Sequence, residues 1–196
     1  MATITVLVRS VGWIRQMGKA EKVLSEIESK IKKGKFLPIV GPDRGQILVE
    51  IIRDITPKRV LEIGTLIGYS AILMGKELGS DAQLITIEID SHAAEIAKNN
   101  IKRAEIPPTV EVLVGDALKI IPKLKGKFDL VFIDAEKQQY LDYLQLIENR
   151  LHKGSVVIAD NVEHAPDYLD YVRHSGKYAS KHISASAGGL EVSFKL

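Results

Sequence analysis

Cysteine is absent from the 196 residues, which excludes disulfides, thiolate chemistry and structural cysteine-zinc sites and suits a reducing compartment. No redox role is suggested. A charge of one sign is lacking as well: 27 Lys and Arg face 25 Asp and Glu, and the formal +2 is too weak a field to imply nucleic acid by itself. Long apolar runs are missing. Thr3-Ile4-Thr5-Val6-Leu7-Val8 is far too short to span a bilayer and lacks the basic leader and cleavage signal of a secretory peptide. A cytoplasmic protein without a membrane partner is therefore expected. There is no internal repeat or low-complexity tract, and a chain of this length forms one domain that buries roughly 70% of its unfolded surface.

The residues up to about Lys35 stand apart. After Trp13, Val23, Leu24, Ile27 and Ile31 recur at helical spacing among Lys and Glu, which predicts an amphipathic helix stopped by Gly34. Its lysines suit a solvated face, a dimer contact or RNA. Phe36 to Pro42 reads as too proline-rich for a helix, and a second helix is expected over roughly Gly45 to Asp54, closed by Pro57.

From Arg59 onward strands and helices alternate with short connections, the pattern of a doubly wound α/β sheet. Val60-Leu61-Glu62-Ile63 leads into a turn opened by Gly64 and a helix beginning near Gly68, where a parallel sheet meets a nucleotide-sized ligand. A second run, Leu84 to Ile87, ends in Glu88, placed to accept hydrogen bonds from ribose hydroxyls. A dinucleotide is disfavoured. Close approach to a pyrophosphate needs glycine two places after the first, and Leu66 stands there.

Strand three, Val110 to Val114, delivers Asp116 either toward an adenine amino group or onto the next helix as its cap. Strand four, Phe128 to Ile133, delivers Asp134, with Lys137 one turn on, and strand five, Ser155 to Ala159, delivers Asp160 and Asn161 to the same edge. Two carboxylates and an amide oxygen are hard donors suited to magnesium, although each alone is also a common turn or cap residue. The five histidines have no ligand spacing. The chain closes with a helix over Tyr168 to Val172 and an antiparallel edge hairpin, Tyr178 to Ile183 and Leu190 to Phe194, around Gly188-Gly189.

In order and spacing, Leu61-Glu62-Ile63-Gly64 through Gly68-Tyr69-Ser70, Ile87-Glu88, Val131 to Asp134 with Lys137, and Ala159-Asp160-Asn161-Val162 resemble the cation-dependent, S-adenosylmethionine-dependent O-methyltransferases typified by the catechol and caffeoyl-CoA enzymes. Val40-Gly41-Pro42, with Arg44-Gly45-Gln46 after it, resembles the family segment lying over the methionine end of the cofactor. The resemblance implies a Rossmann-like seven-stranded sheet with helices on both faces, the last strand antiparallel, in a single domain over residues 1–196. Residues 1–56 would form an N-terminal helical segment and cofactor lid, and 57–196 the core. S-adenosyl-L-methionine would contact Val40, Glu62, Gly64, Gly68, Ser70, Glu88, Asp116 and Asp134, with Gly64 leaving room for the methionine part and Ser70 hydrogen-bonding it. Mg2+ or another hard dication would sit on Asp134, Asp160 and Asn161, and Asp134 and Lys137 would be catalytic, Lys137 beside the accepting hydroxyl.

The expected acceptor is a small hydroxylated molecule, a vicinal and aromatic diol, and the expected assembly a homodimer. The family pattern also occurs in enzymes that methylate hydroxyuridine in transfer RNA, and a non-catalytic cofactor-binding module would keep Gly64 and Glu88 without needing the acidic trio. Two departures from the catechol enzyme leave the substrate open. Ala135-Glu136 replaces bulkier residues, and Tyr178 to Gly189 is too short for the loop bearing a substrate-orienting glutamate; that role is not transferred to Glu191.

Overall fold

The computed structural model describes residues 17–185 and 188–196; Thr3 to Val8 and Trp13 lie outside the described residues. Two helices, α1 (Lys19–Lys32) and α2 (Gly41–Ile55), precede an alternating core. That core runs β1 (Arg59–Ile63), α3 (Tyr69–Gly75), β2 (Gln83–Glu88), α4 (Ser91–Ala104), β3 (Thr109–Val114), α5 (Ala117–Ile120) and β4 (Phe128–Ile133). It continues through α6 (Tyr140–Ile147), β5 (Leu151–Asp160), α7 (Pro166–His174), β6 (Tyr178–Ala185) and β7 (Gly188–Lys195). The seven strands order as β3-β2-β1-β4-β5-β7-β6. β1 to β5 are parallel, and β7 runs antiparallel to both neighbours.

Alternation along each strand sends neighbouring side chains to opposite faces, and each face meets its own helices. Val60, Leu84, Leu130, Phe132 and Val156 pack under α1, α2 and α3. Leu61, Ile85, Val131, Ile133 and Val157 pack under α6 and α7. Coverage on both sides is why β1, β2 and β4 read as continuous apolar runs, each fully buried Leu, Ile or Phe stabilising by roughly 1.5–3 kcal/mol. The α1 helix lies on α4 and α3, its charged face tied down by Lys19 to Glu105 and Glu26 to Arg103.

Three differences from the sequence reading have physical causes. Pro42 does not exclude a helix: it stands in the first turn of α2, where its missing N–H would have no partner anyway, so α2 starts at Gly41. β5 begins at Leu151 rather than Ser155, because His152-Lys153-Gly154 is the exposed early part of a ten-residue strand. The last strand is buried on both faces from Gly189 to Ser193, since β7 lies inside the hairpin between β5 and β6. Its polar residues are satisfied there: Glu191 accepts from Arg173 at 2.8 and 2.6 Å and from Ser180 at 2.7 Å.

Candidate active site

The sheet order reverses between β1 and β4, and a crevice opens there at the carboxyl ends of the strands. It is a cavity of about 510 Å³, in the range that holds a small molecule. Gly64 follows β1, Glu88 ends β2, Gly115-Asp116 follows β3 and Asp134 follows β4, and all of them line it.

The loop after β1 is shaped by close contact. Gly64 has φ +99°, and a Cβ there would lie 2.0 Å from the Asp134 carbonyl oxygen. Its glycine is thus required by the neighbouring Asp134-Ala135 backbone before any ligand is considered. Gly68 (φ +84°) serves packing: an added Cβ would press on Ala97 of α4 at 3.3 Å. Leu66, between them, is itself left-handed at φ 48°. Its N–H donates to Glu88 Oε2 at 2.6 Å, while Glu88 Oε1 accepts from Asp90 N–H at 2.9 Å. Glu88 therefore braces the loop and keeps lone pairs on both oxygens for a ligand's hydroxyls. Asp116 caps α5 by accepting from Leu118 N–H at 2.9 Å, as one of its two expected roles requires, and it also lines the cavity.

Val40, Glu62, Gly68 and Ser70 do not line the cavity. Val40, Glu62 and Ser70 are buried behind it. Glu62, on the apolar face of β1, is wholly buried, and burial above all pushes its carboxyl up to about 7, against the hydroxyls of Ser70 and Thr86. Its Oε2 accepts from Thr86, but Oε1 has no partner in hydrogen-bond geometry, the Ser70 hydroxyl lying nearby without closing a bond.

β4 and β5 bring the acidic pair together. Lys137 Nζ lies 2.9 Å from Asp134 Oδ1 and donates to the Tyr140 hydroxyl at 2.8 Å, and that hydroxyl donates to the Asp160 carbonyl at 2.9 Å. Asp160 is buried and is held by Arg44 at 2.8 Å and by the Asn161 N–H at 2.9 Å, both on Oδ1. Burial first, then the charge of Asp134, raises its carboxyl to about 6, while Arg44 and Lys137 oppose the shift. Asn161 follows directly, in a left-handed turn at φ 52°. Among the described residues no three Asp, Glu, His or Cys side chains cluster as a metal site. A dication here would draw on the two carboxylates and an amide oxygen, a donor set that fits a hard ion.

Ile89 and Tyr143 were not singled out from the sequence, and Arg44 was read only as part of the segment over the methionine end, not as a partner of Asp160. Ile89 and Tyr143 line the cavity, Ile89 at 74% exposure. An isoleucine directly after the glutamate that ends a buried strand, at the sheet's carboxyl edge, is the signal that could have found it, since it can offer an apolar surface to a ligand.

A doubly wound sheet with a braced acidic crevice at its switch point is the arrangement of α/β proteins that bind nucleoside-type ligands, and here Asp134 and Lys137 line that crevice. The chain belongs to the O-methyltransferase family, whose sequence profile matches residues 16–172, and is an enzyme that uses S-adenosylmethionine. It is 36% identical over 177 residues to mouse (Mus musculus) catechol O-methyltransferase, covering 86% of this chain and 67% of the mouse protein. It is 35% identical over 154 residues to catechol O-methyltransferase of Niastella koreensis, covering 76% of this chain and 70% of that one. The O-methyltransferase TomG from Streptomyces achromogenes, solved with S-adenosylmethionine, superposes with a TM-score of 0.74 at 25% identity over 93% of this chain and 92% of that one. Among the described residues no helix is long and apolar enough to cross a membrane.

Proposed function

We propose that this enzyme transfers the methyl group of S-adenosylmethionine to one hydroxyl of a small vicinal diol, catechol-like, with a hard dication held by Asp134, Asp160 and Asn161. The single observation that carries the reading is that Asp134, which lines the cavity and holds Lys137 at 2.9 Å, acts electrostatically on the buried Asp160 from the next strand. The catechol enzymes among its relatives support the substrate class.

In this reading Glu88 takes the ribose hydroxyls, Ile89 and Tyr143 flank the base, and Asp116 lies at its rim. Glu62 and Ser70, behind the loop, offer an acid and a hydroxyl toward the methionine end, and the segment from Val40 into α2 covers it. The sulfonium methyl is already activated, so orientation of the attacking oxygen contributes several kcal/mol of the acceleration. A bound dication would hold the diol and ease ionisation of the attacking hydroxyl. Once a neighbouring dication favours its neutral form, Lys137 is the side chain positioned to receive that proton, and Tyr140, fixed between Lys137 and the Asp160 carbonyl, sets its position.

A methyl-transfer screen with labelled donor tests this: catechols, acyl-CoA phenols and hydroxyuridine-containing RNA, each with and without magnesium. Magnesium-dependent labelling of the catechols is expected. Labelling of RNA alone would overturn the small-diol reading.

A further inference from the structure

Arg44 stands in the first turn of α2, far in sequence from the acidic pair, yet its guanidinium reaches Asp160 Oδ1 at 2.8 Å while its Nε donates to the Val40 carbonyl at 3.0 Å. The ion pair is enclosed, with 13% of the Arg44 side chain and 1% of the Asp160 side chain exposed. Lys137 sits on the other carboxylate in the same way, at 2.9 Å from Asp134. Two cations therefore balance two carboxylates, and their combined charge equals that of one dication. The two arrangements are alternatives. A dication added beside both cations would leave the enclosed acids outweighed by positive charge in a site with little water to screen it. Arginine cannot relieve that by losing a proton, so it relieves it by moving.

We infer that Arg44 is a positioning residue that competes with the dication for Asp160, so that dication binding releases the first turn of α2 from the site. The inference rests on the dication reading above. Room for the movement exists at the start of the helix. Gly41, at φ +73° with nothing near its Cβ position, precedes Arg44, and residues 36–40 lie outside any helix or strand, with the Ile39 N–H to Leu37 carbonyl bond inside that stretch and Val40 buried at its end. The rest of α2 stays anchored by Leu48, Val49 and Ile52, which are buried. Metal occupancy and the closure of the segment over the methionine end thereby become coupled through one side chain.

The test is a Mn2+ titration followed by electron paramagnetic resonance on the full chain, comparing wild type, Arg44→Met and Arg44→Lys, with hydrogen exchange of residues 39–46 measured in parallel. Removing the competing charge in Arg44→Met should tighten Mn2+ binding about tenfold, equivalent to about 1.4 kcal/mol. Arg44→Lys, which keeps the charge, should stay within about twofold of wild type. In wild type, saturating Mn2+ should speed exchange across residues 39–46, and in Arg44→Met that exchange should be fast without metal. A purely structural ion pair would loosen the segment in Arg44→Met without tightening Mn2+, and that result overturns the inference while leaving the dication reading intact. Unchanged exchange in wild type on adding Mn2+ overturns it independently of any variant's folding. Absence of Mn2+ binding in wild type overturns this inference and the dication reading together.

Discussion

Replacing Glu88 with alanine removes two functions at once, and the structure separates them. Its carboxylate accepts the Leu66 N–H at 2.6 Å and the Asp90 N–H at 2.9 Å, so the empty protein loses the brace that holds the left-handed Leu66 in place. Each oxygen still has a lone pair for one ribose hydroxyl, and a hydrogen bond to a charged acceptor contributes about 1.5–3 kcal/mol. The two ribose bonds are not independent, so the expected loss of S-adenosylmethionine affinity is about 2–4 kcal/mol, roughly 30- to 1,000-fold. Glu88→Gln distinguishes the parts. It keeps one acceptor for a backbone N–H but turns an NH2 toward the other, so it should lose most of the affinity with less disturbance of the loop. Isothermal calorimetry measures the affinities, and hydrogen exchange at residues 64–68 measures the loop. Affinity within about threefold of wild type in Glu88→Ala would refute the assignment of Glu88 to ribose.

Gly64→Ala should destabilise the protein by about 3–5 kcal/mol, adding left-handed strain to overlap with the Asp134 backbone, and lower Tm by roughly 10 °C; an unchanged melting curve would show that the backbone yields there. Burial holds the Glu62 carboxyl at about 7 in the folded protein, above its ordinary value near 4.3, so the folded state binds the extra proton and stability falls as pH rises through that window, by about 3–4 kcal/mol in all. Urea unfolding at pH 5 and pH 8 should show this fall in wild type and a clearly smaller one in Glu62→Gln; equal falls would place the titration elsewhere. β6 and β7 stay paired out to Ala185 and Gly188, and the described residues of that hairpin offer no long loop to orient a second hydroxyl, so an asymmetric catechol should give both monomethyl products, with a preference below about 1.5 kcal/mol. A single regioisomer on chromatography would mean that another segment supplies the orienting group.

The strands were legible because a sheet covered on both faces writes itself as apolar runs: β4 occupies the predicted Phe128 to Ile133, and β2 ends at Glu88. The site's outline was legible for the same reason, since acidic residues placed directly after such strands must arrive at one edge. What could not be read locally was decided by contacts between distant segments. The insertion of β7 between β5 and β6 depends on pairing across the sheet, and the Arg44–Asp160 pair joins residues 116 apart. Gly64 was legible as a turn, but its reason, the carbonyl of Asp134 pressed against it, belongs to another strand. Glu62 was legible as part of the motif around the first strand, but its full burial is a state that only packing creates.

The central claim is that methyl transfer depends on a dication at Asp134, Asp160 and Asn161, and demetallated protein tests it most directly. Protein stripped with chelator and supplied with labelled S-adenosylmethionine and a catechol should bind the donor and transfer nothing, and magnesium should restore turnover in wild type but not in Asp160→Asn. Full-rate transfer by the stripped protein would contradict the account.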